Sequence, residues 1–225
     1  MRVFFKLLQI AFIALPLLAM RQDKPIRVVF FGDSITQAGV SPTGYITKVG
    51  EMLKSNSQDS QYELIGAGIG GNKVYDLYLR LEDDVLAKKP DVVFIYVGIN
   101  DVWHKASSGT GTDPDKYVKF YEALIKKLKA QNIRVIVCTP TVIGERNDNS
   151  NQQDGDLNQY SKLIREIATR NSLQLLDLRQ HFQDYLAKNN PENKEKGILT
   201  SDRVHLTDAG NQFLAEKMLE ALVQK

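Results

Sequence analysis

Segments typical of β-strands alternate with segments typical of α-helices along most of this chain, and this alternation is the strongest constraint on its fold. Runs rich in β-branched and aromatic residues predict five strands, at residues 26–31, 62–65, 92–97, 133–138 and 173–176. Apolar residues at helical spacing predict helices around residues 45–54, 74–87, 115–130, 157–170 and 207–223. Strict alternation favours a parallel sheet covered by helices on both faces. We therefore predict a three-layer α/β/α, flavodoxin-like fold with strand order 2-1-3-4-5, the order being inferred from the fold class.

The first twenty residues form a segment of different character. Arg2 and Lys6 precede an apolar stretch over residues 7–20, and the small residue Ala19 lies near its end. This arrangement is typical of a secretory signal peptide, cut at about residues 19–23. An uncleaved membrane anchor is the alternative, although the stretch is short for a bilayer span. We expect one domain over residues 24–225, exported to the periplasm or the exterior, with no membrane contact after cleavage.

Removal of that segment leaves a chain without net charge. The full sequence has 29 basic and 27 acidic residues, and the first twenty contain two basic residues and no acidic one. A balanced charge without an aromatic-interleaved basic patch gives no indication of nucleic acid as a partner. The single cysteine, Cys138, lies in an apolar run, which predicts a buried thiol and neither a disulfide framework nor a thiolate metal site.

Residues with useful chemistry follow three predicted strands and also occupy the last predicted loop. Ser34 comes just after the first strand, the glycine-rich residues 66–72 follow the second, and Asn100 follows the third. Asp202 and His205 lie three positions apart before the final helix. The carboxyl ends of parallel strands meet at one edge of a sheet, where ligands bind. The sequence therefore predicts that these distant residues meet in one site.

The residue types are those of nucleophilic acyl transfer. A serine is a weak nucleophile until an imidazole takes its proton, and a carboxylate can orient that imidazole through the ring N–H. Ser34, His205 and Asp202 suit these three roles. The tetrahedral intermediate also needs donors for its oxyanion, which the backbone N–H of Ser34, the N–H of Gly71 and the Asn100 amide can supply.

Four sequence blocks resemble those of the SGNH, or GDSL-type, esterases and lipases. They are Gly-Asp-Ser at 32–34, Gly71 in Ala-Gly-Ile-Gly-Gly-Asn, Gly-Ile-Asn-Asp at 98–101 and Asp-x-x-His at 202–205. The resemblance extends from residue 28 to the C-terminus. It implies a flavodoxin-like fold and ester hydrolysis through an acyl-enzyme, with no metal and no cofactor.

The same resemblance implies a role for each matched residue. Ser34 corresponds to the nucleophile, His205 to the base and Asp202 to the carboxylate that orients it. The N–H groups of Ser34 and Gly71 and the amide of Asn100 correspond to the oxyanion hole. Gly71 is preferred to the adjacent Gly70 because it directly precedes Asn72 in the motif.

The glycine-rich turn also matches the dinucleotide-binding pattern Gly-x-Gly-x-x-Gly at residues 66–71. That fingerprint belongs in the first βα unit, with an acidic residue at the end of the next strand. Here it lies in the second unit, and Asp83, Asp84 and Asp91 precede the third strand instead of following it. We therefore expect no nicotinamide or flavin, and no His and carboxylate spacing indicates a metal site.

Three residues beside the blocks are candidate substrate contacts. Asp33 precedes Ser34, although an aspartate there is also a common turn-former that accepts backbone N–H bonds. Trp103 and His104 follow the third block, and His104 is either a substrate contact or a polar loop residue. His181 begins an amphipathic stretch over residues 181–187 and is expected at the surface or at a helix start.

Two long loops bear on the substrate. Residues 139–156, rich in Asn, Asp and Gln, and residues 189–203 carry no extended apolar lid for a long acyl chain. Together with Trp103 and His104, they suit the face of a sugar. We predict a serine esterase for short-chain esters such as O-acetyl groups on carbohydrate. The alternatives are a lysophospholipase or thioesterase of the same fold, and a catalytically silent, exported carbohydrate-binding module.

Overall fold

The computed structural model describes residues 24–224, whose strands form a parallel sheet of order β2-β1-β3-β4-β5. The strands are β1 (Ile26–Gly32), β2 (Tyr62–Gly68), β3 (Val92–Tyr96), β4 (Arg134–Cys138) and β5 (Gln174–Leu176). Every residue of the central strand β3 is buried, whereas those of the edge strand β2 are partly exposed, as their places in the sheet require. The predicted strand order is confirmed.

Helices cover both faces of this sheet. They are α1 (Ser34–Ala38), α2 (Tyr45–Ser55), α3 (Val74–Asp84), α4 (Ile99–Ser108), α5 (Pro114–Ala130), α6 (Asp154–Asn171), α7 (Leu178–Asn189) and α8 (Asp208–Val223). The pair α2 and α8 packs together, and α5 packs between α3 and α6. The three-layer α/β/α prediction is confirmed.

The core lies between β1 and β3 and the helices that flank them. Phe30 of β1 stacks on Phe94 of β3 with ring centroids 5.0 Å apart, and Tyr45 of α2 meets Phe30 edge-on at 5.7 Å. Such aromatic pairs contribute about 0.5–1.5 kcal/mol each beyond area burial. Cys138 at the end of β4 is buried as predicted, and burial raises the pKa of its thiol, which leaves it unreactive.

The register of the sheet brings three strand ends side by side. Gly32, the last residue of β1, is aligned with Gly68 of β2 and with Tyr96 of β3. A Cβ at Gly68 would lie 2.1 Å from the backbone nitrogen of Gln37, so only glycine lets the end of β2 approach α1 this closely. The segments that follow these strands therefore start next to one another.

Three helices lie outside the predicted set, and one predicted helix is shorter. Helix α1 has five residues, too few to show an apolar period. Helix α7 is longer than the amphipathic stretch 181–187, and His181 lies partly buried in its first turn. Helix α3 ends at Asp84 instead of continuing to residue 87, and a short 3-10 turn over Leu86–Lys88 follows before Pro90.

Helix α4 was missed because its buried face is polar. The first turn buries Ile99, Asn100, Asp101 and Val102 in succession. Two polar residues therefore occupy positions where the 3.6-residue apolar period would be expected. A sequence pattern that assumes apolar buried faces cannot find such a helix.

The predicted signal peptide lies outside the described residues, so the structure does not bear on it. Within residues 24–224, the helices are too short or too polar to cross a bilayer.

Candidate active site

The structure brings Ser34, His205 and Asp202 into one hydrogen-bonded chain. Ser34 is the first residue of α1, and its Oγ lies 2.9 Å from Nε2 of His205. On the other side of the ring, Nδ1 of His205 lies 2.7 Å from Oδ2 of Asp202. The three side chains come from opposite ends of the domain, 171 residues apart in the case of Ser34 and His205. This is the arrangement in which an imidazole can take a proton from a hydroxyl.

Asp202 is held by both of its carboxylate oxygens. Oδ1 accepts the backbone N–H of Val204 at 3.0 Å and that of His205 at 2.8 Å, while Oδ2 faces the imidazole. Arg203 between them has a φ of +88°, which bends the chain back over the carboxylate. These contacts orient the carboxylate before any ligand binds.

The negative charge of Asp202 favours the His205 tautomer that carries its hydrogen on Nδ1. Partial burial raises the pKa of this carboxyl, but hydrogen bonds from the His205 ring and from two backbone N–H groups outweigh it, so the pKa lies below its ordinary value. The carboxylate is therefore ionised at neutral pH and accepts a hydrogen from Nδ1. Nε2 of neutral His205 is left as the acceptor for the Ser34 hydroxyl.

Three N–H donors predicted for an oxyanion hole have hydrogens left for a ligand. In the described part of the chain, no acceptor takes the backbone N–H of Ser34 or of Gly71. Gly71 has a φ of +77°, a conformation that glycine adopts without strain. Asn100 is 2% exposed, and its Nδ2 donates one hydrogen to the backbone oxygen of Asn72 at 3.1 Å. An amide nitrogen carries two hydrogens, so one remains for a ligand.

The choice between the adjacent glycines follows from their hydrogen bonds. The N–H of Gly70 donates to Oε1 of Gln37 at 2.9 Å and is therefore occupied. Gly71 is the glycine of the turn whose N–H stays free for a ligand within residues 24–224.

Arg80 of α3 binds the glycine-rich turn, and no sequence pattern pointed to this residue. Its Nη2 donates to the backbone oxygens of Gly32 at 2.8 Å and Ala67 at 3.0 Å, near the ends of β1 and β2. Its Nε donates to Oδ1 of Asn72 at 2.7 Å, and Nη1 pairs with Asp84 at 2.8 Å. One planar guanidinium thus links two strand ends to the turn.

Asp33 lies beneath the site as a helix cap. It is 2% exposed, and its Oδ1 accepts the N–H of Ile35 at 3.0 Å at the start of α1. Burial raises the pKa of this carboxyl to about 6, although the Ile35 N–H and His205 oppose the increase. The turn-forming role accounts for its position, and a carboxyl this buried offers no surface to a substrate.

Trp103 and His104 lie on α4 at the edge of the site. The Trp103 ring is inclined at 67° to the His205 ring, with centroids 6.4 Å apart. His104 Cε1 would lie 3.8 Å from a Cβ at Gly71, so this imidazole lies beside that glycine. Partial burial and the nearby ammonium of Lys73 lower the pKa of His104, which keeps its ring neutral.

Asp101, next to Asn100, is a second buried carboxyl that sequence reasoning did not single out. It is fully buried, and its Oδ1 accepts the N–H of Val74 at the start of α3 at 3.2 Å. Burial raises its pKa to about 7. The contact joins α4, which carries Asn100, to the helix that follows the glycine-rich turn.

Metal ligands are not gathered in this site. Across residues 24–224, no group of three or more His, Cys, Asp or Glu side chains lies close enough to hold a metal ion together.

Comparison with known proteins agrees with this geometry. Residues 30–213 match the sequence pattern of the GDSL-like lipase/acylhydrolase family. The chain belongs to this family. A relative, the acetylxylan esterase of Geobacillus stearothermophilus, is 30% identical over 214 residues, which cover 87% of this chain and 93% of that protein. As a GDSL-type protein with esterase relatives, the chain is a carboxylic ester hydrolase.

Solved structures of GDSL-type relatives share the fold over most of the chain. The acetyl xylan esterase AlAXEase superposes with a TM-score of 0.87 at 64% identity, over 88% of this chain and 100% of that one. The acetylxylan esterase Axe2 from Geobacillus stearothermophilus, solved as a catalytic mutant, gives a TM-score of 0.78 at 28% identity, over 89% and 95%. The catalytic mutants of Axe2 replace a serine, an aspartate or a histidine with alanine.

Proposed function

We propose that this chain removes acetyl groups from carbohydrate by a serine esterase mechanism. The observation that carries the proposal is the hydrogen-bonded chain from Ser34 Oγ through His205 to Asp202. In Axe2, an acetylxylan esterase, a serine, an aspartate and a histidine are the residues changed in catalytic mutants. The same three residue types meet here, which supports Ser34 as nucleophile, His205 as base and Asp202 as the group that orients the base.

Acylation transfers the acetyl group to the serine. Nε2 of His205 takes the proton as Ser34 Oγ attacks the ester carbonyl carbon, and the carbonyl electron pair moves onto oxygen. The intermediate then collapses, the bond to the alcohol oxygen breaks, and the imidazolium returns the proton to that oxygen. Water attacks the acetyl-serine by the same route, releasing acetate and restoring Ser34.

The negative charge on the tetrahedral oxygen needs donors that are already in place. The N–H of Ser34, the N–H of Gly71 and the remaining Asn100 N–H are available in the described structure. Donors that are oriented before reaction stabilise the intermediate without reorganisation. We assign these three groups to the oxyanion hole.

The substrate class rests on the relatives and on the residues beside the triad. Two relatives are acetylxylan esterases, one of them 64% identical. Trp103 offers an aromatic face and His104 a neutral imidazole, which suit the apolar face and the hydroxyls of a sugar ring. We assign Trp103 and His104 to the sugar side of the site.

Replacement of the triad tests the mechanism. We expect Ser34→Ala and His205→Ala each to lower kcat on 4-nitrophenyl acetate by about 10³-fold or more, because the nucleophile or its base is lost. Melting curves serve as the control for folding. A fluorophosphonate probe should label the wild-type protein and should not label Ser34→Ala. Equal rates for folded Ser34→Ala and wild type would contradict the serine mechanism. Absence of labelling in wild type would favour a silent binding module.

Acyl chain length separates the esterase from the lipase and thioesterase readings. We expect the highest kcat/KM on acetyl esters, lower values on octanoyl esters and the lowest on palmitoyl esters. A maximum at palmitoyl, or faster turnover of acetyl thioesters than of acetylated xylooligosaccharides, would contradict the proposed substrate.

Trp103→Ala tests the sugar side. We expect KM for acetylated xylooligosaccharides to rise about 10-fold through loss of one aromatic contact, with little change for 4-nitrophenyl acetate. An equal rise on both substrates would contradict a sugar-specific role and indicate a disturbed His205 ring.

We also propose export, on the basis of the order of basic, apolar and small residues over 1–20. The full chain expressed in a bacterial host should appear outside the cytoplasm with an N-terminus between about residues 19 and 23. An intact N-terminus in the membrane fraction would favour the anchor instead.

A further inference from the structure

The loop that carries two triad residues is tied to the β4–α6 connection by one buried side chain. We define the triad loop as residues 195–207. Glu145, outside that loop, is fully buried. Its Oε1 accepts the backbone N–H of Leu199 at 2.7 Å, the N–H of Thr200 and the Thr200 hydroxyl at 2.8 Å. Its Oε2 accepts the N–H of Ile198 at 2.8 Å.

The backbone beside Glu145 adds two more contacts to the triad loop. The N–H of Glu145 donates to the oxygen of Glu195 at 2.9 Å, and the N–H of Gly144 donates to the oxygen of Arg203 at 2.8 Å. The second contact reaches the residue directly after Asp202. Two neighbouring residues of the β4–α6 connection therefore hold the triad loop at its start, middle and tip.

The segment bound by Glu145 pairs with the segment next to His205. Thr200 and Leu206 form an antiparallel bridge, and the N–H of Thr207 donates to the oxygen of Leu199 at 2.9 Å. At the tip, the N–H of Ser201 donates to the oxygen of His205 at 2.8 Å. A shift of residues 198–200 would therefore move His205 with it.

We propose that Glu145 is a positioning residue for the triad: it fixes residues 198–200 and thereby sets the distance between His205 and Ser34. The proposal rests on the proposed function of Ser34 and His205. Glu145 does not touch the reacting atoms and acts through the triad loop. Catalysis depends on such placement, since small displacements of a catalytic group are costly.

A carboxylate suits this position better than any other side chain of its size. Four donors from the triad loop converge on its two oxygens, and an ionised carboxylate accepts at both. Glutamine has the same shape but presents one oxygen and one NH₂ group. With its oxygen facing Leu199 and Thr200, its NH₂ would face the N–H of Ile198, so two donors would meet in a buried place.

Glu145→Gln is the primary test. We expect kcat on 4-nitrophenyl acetate to fall about 10- to 100-fold with KM within about twofold of wild type, because placement of the base is lost and ester binding is not. Asp177→Asn is the matched control. Its carboxylate, which is partly buried, accepts hydrogen bonds from Arg165 and Thr139 but makes no contact with the triad loop in the described structure. It should lower the melting temperature and leave kcat near wild type.

A proton NMR signal reports His205 independently of turnover. An Nδ1–H bonded to a carboxylate resonates far downfield, and its loss in Asp202→Asn identifies it in the wild-type spectrum. We expect this signal to broaden or disappear in Glu145→Gln and to persist in Asp177→Asn. Wild-type kcat together with an unchanged signal in folded Glu145→Gln would overturn the proposal. Failure of the proposed function would show differently, as full activity in Ser34→Ala.

Thr200 provides a milder pair of variants if Glu145→Gln does not fold. Thr200→Val removes the hydroxyl that donates to Glu145 Oε1 and keeps the shape, whereas Thr200→Ser keeps the hydroxyl. We expect Thr200→Val to lower kcat about 3- to 10-fold, and Thr200→Ser to retain wild-type kcat. Equal kcat values for the two variants would overturn the proposal.

Discussion

Asn100 is the one proposed oxyanion donor that lies on a side chain, so it can be removed without altering the backbone. It is buried, and one of its two amide hydrogens is already bound to the oxygen of Asn72. We expect Asn100→Ala to lower kcat on 4-nitrophenyl acetate about 10²- to 10³-fold, because one donor to the developing charge is lost. Steady-state kinetics on protein with a wild-type melting curve is the measurement.

Asn171→Ala is the matched control for that substitution. Its amide also donates a side-chain bond, to Glu122 at 2.8 Å, and lies at the end of α6. We expect wild-type kcat from this variant. If folded Asn100→Ala were as active as Asn171→Ala, the amide would have no part in stabilising the intermediate.

At the residue scale, sequence patterns predicted the side chains that form the triad but not the side chains that position them. Ser34 is predicted from its type and its position after a strand, and His205 from its type and its spacing from Asp202. Glu145 and Arg80 did not stand out, since an acid in an Asn-rich loop and a base on a helix are ordinary surface patterns. Arg80 reaches Gly32, 48 residues away, and Glu145 reaches Thr200, 55 residues away, and no local spacing encodes such contacts.

At the scale of elements, α3 stabilises the site through a single planar group. Arg80 joins the ends of β1 and β2 to Asn72, and a lysine keeps the charge but cannot donate in three directions from one plane. We expect Arg80→Lys to lower kcat about 10-fold with little change in KM, because the turn that carries Gly71 loosens. Kinetics and melting curves measured on the same preparation test this.

The control for Arg80 is another arginine, one that makes a bidentate contact with a carboxylate. Arg165 binds both carboxylate oxygens of Asp177, at 2.7 and 3.0 Å, and does not contact the glycine-rich turn in the described structure. Arg165→Lys should therefore lower the melting temperature and leave kcat unchanged. Wild-type kcat in folded Arg80→Lys would show that the turn keeps its place without the guanidinium.

The elements that sequence reasoning missed lie largely around the site. Helix α1 follows Ser34 for five residues, and α4 carries Asn100 on a buried polar face. Helix α1 is too short to show an apolar period, and α4 buries polar residues where that period would place apolar ones. The central strands β1, β3 and β4 obey their rule because both faces of a central parallel strand are covered, so the apolar run is continuous. Sequence patterns therefore predicted the strands of the scaffold but not α1 and α4, the helices that carry Ser34 and Asn100.

At the scale of the whole molecule, the burial of carboxyl groups near the site lowers the free energy of unfolding when those groups are ionised. Burial raises the pKa of Asp33 to about 6 and that of Asp101 to about 7, both from an ordinary 3.8. Between the unfolded and folded values the native state binds more protons than the unfolded state. The free energy of unfolding therefore falls as pH rises through this interval, and the loss is complete above the folded pKa.

Asp101→Asn isolates one of these contributions. The amide oxygen can still accept the N–H of Val74, but the side chain no longer has a charge to bury. We expect the variant to gain stability relative to wild type as pH rises from about 5 to about 8, by on the order of a few kcal/mol, in urea unfolding curves. Asp83→Asn, at an exposed position on α3, should follow the wild-type pH dependence. Parallel curves for Asp101→Asn and wild type would mean that Asp101 titrates alike in the folded and unfolded chains, and that the connection between α3 and α4 carries no buried charge.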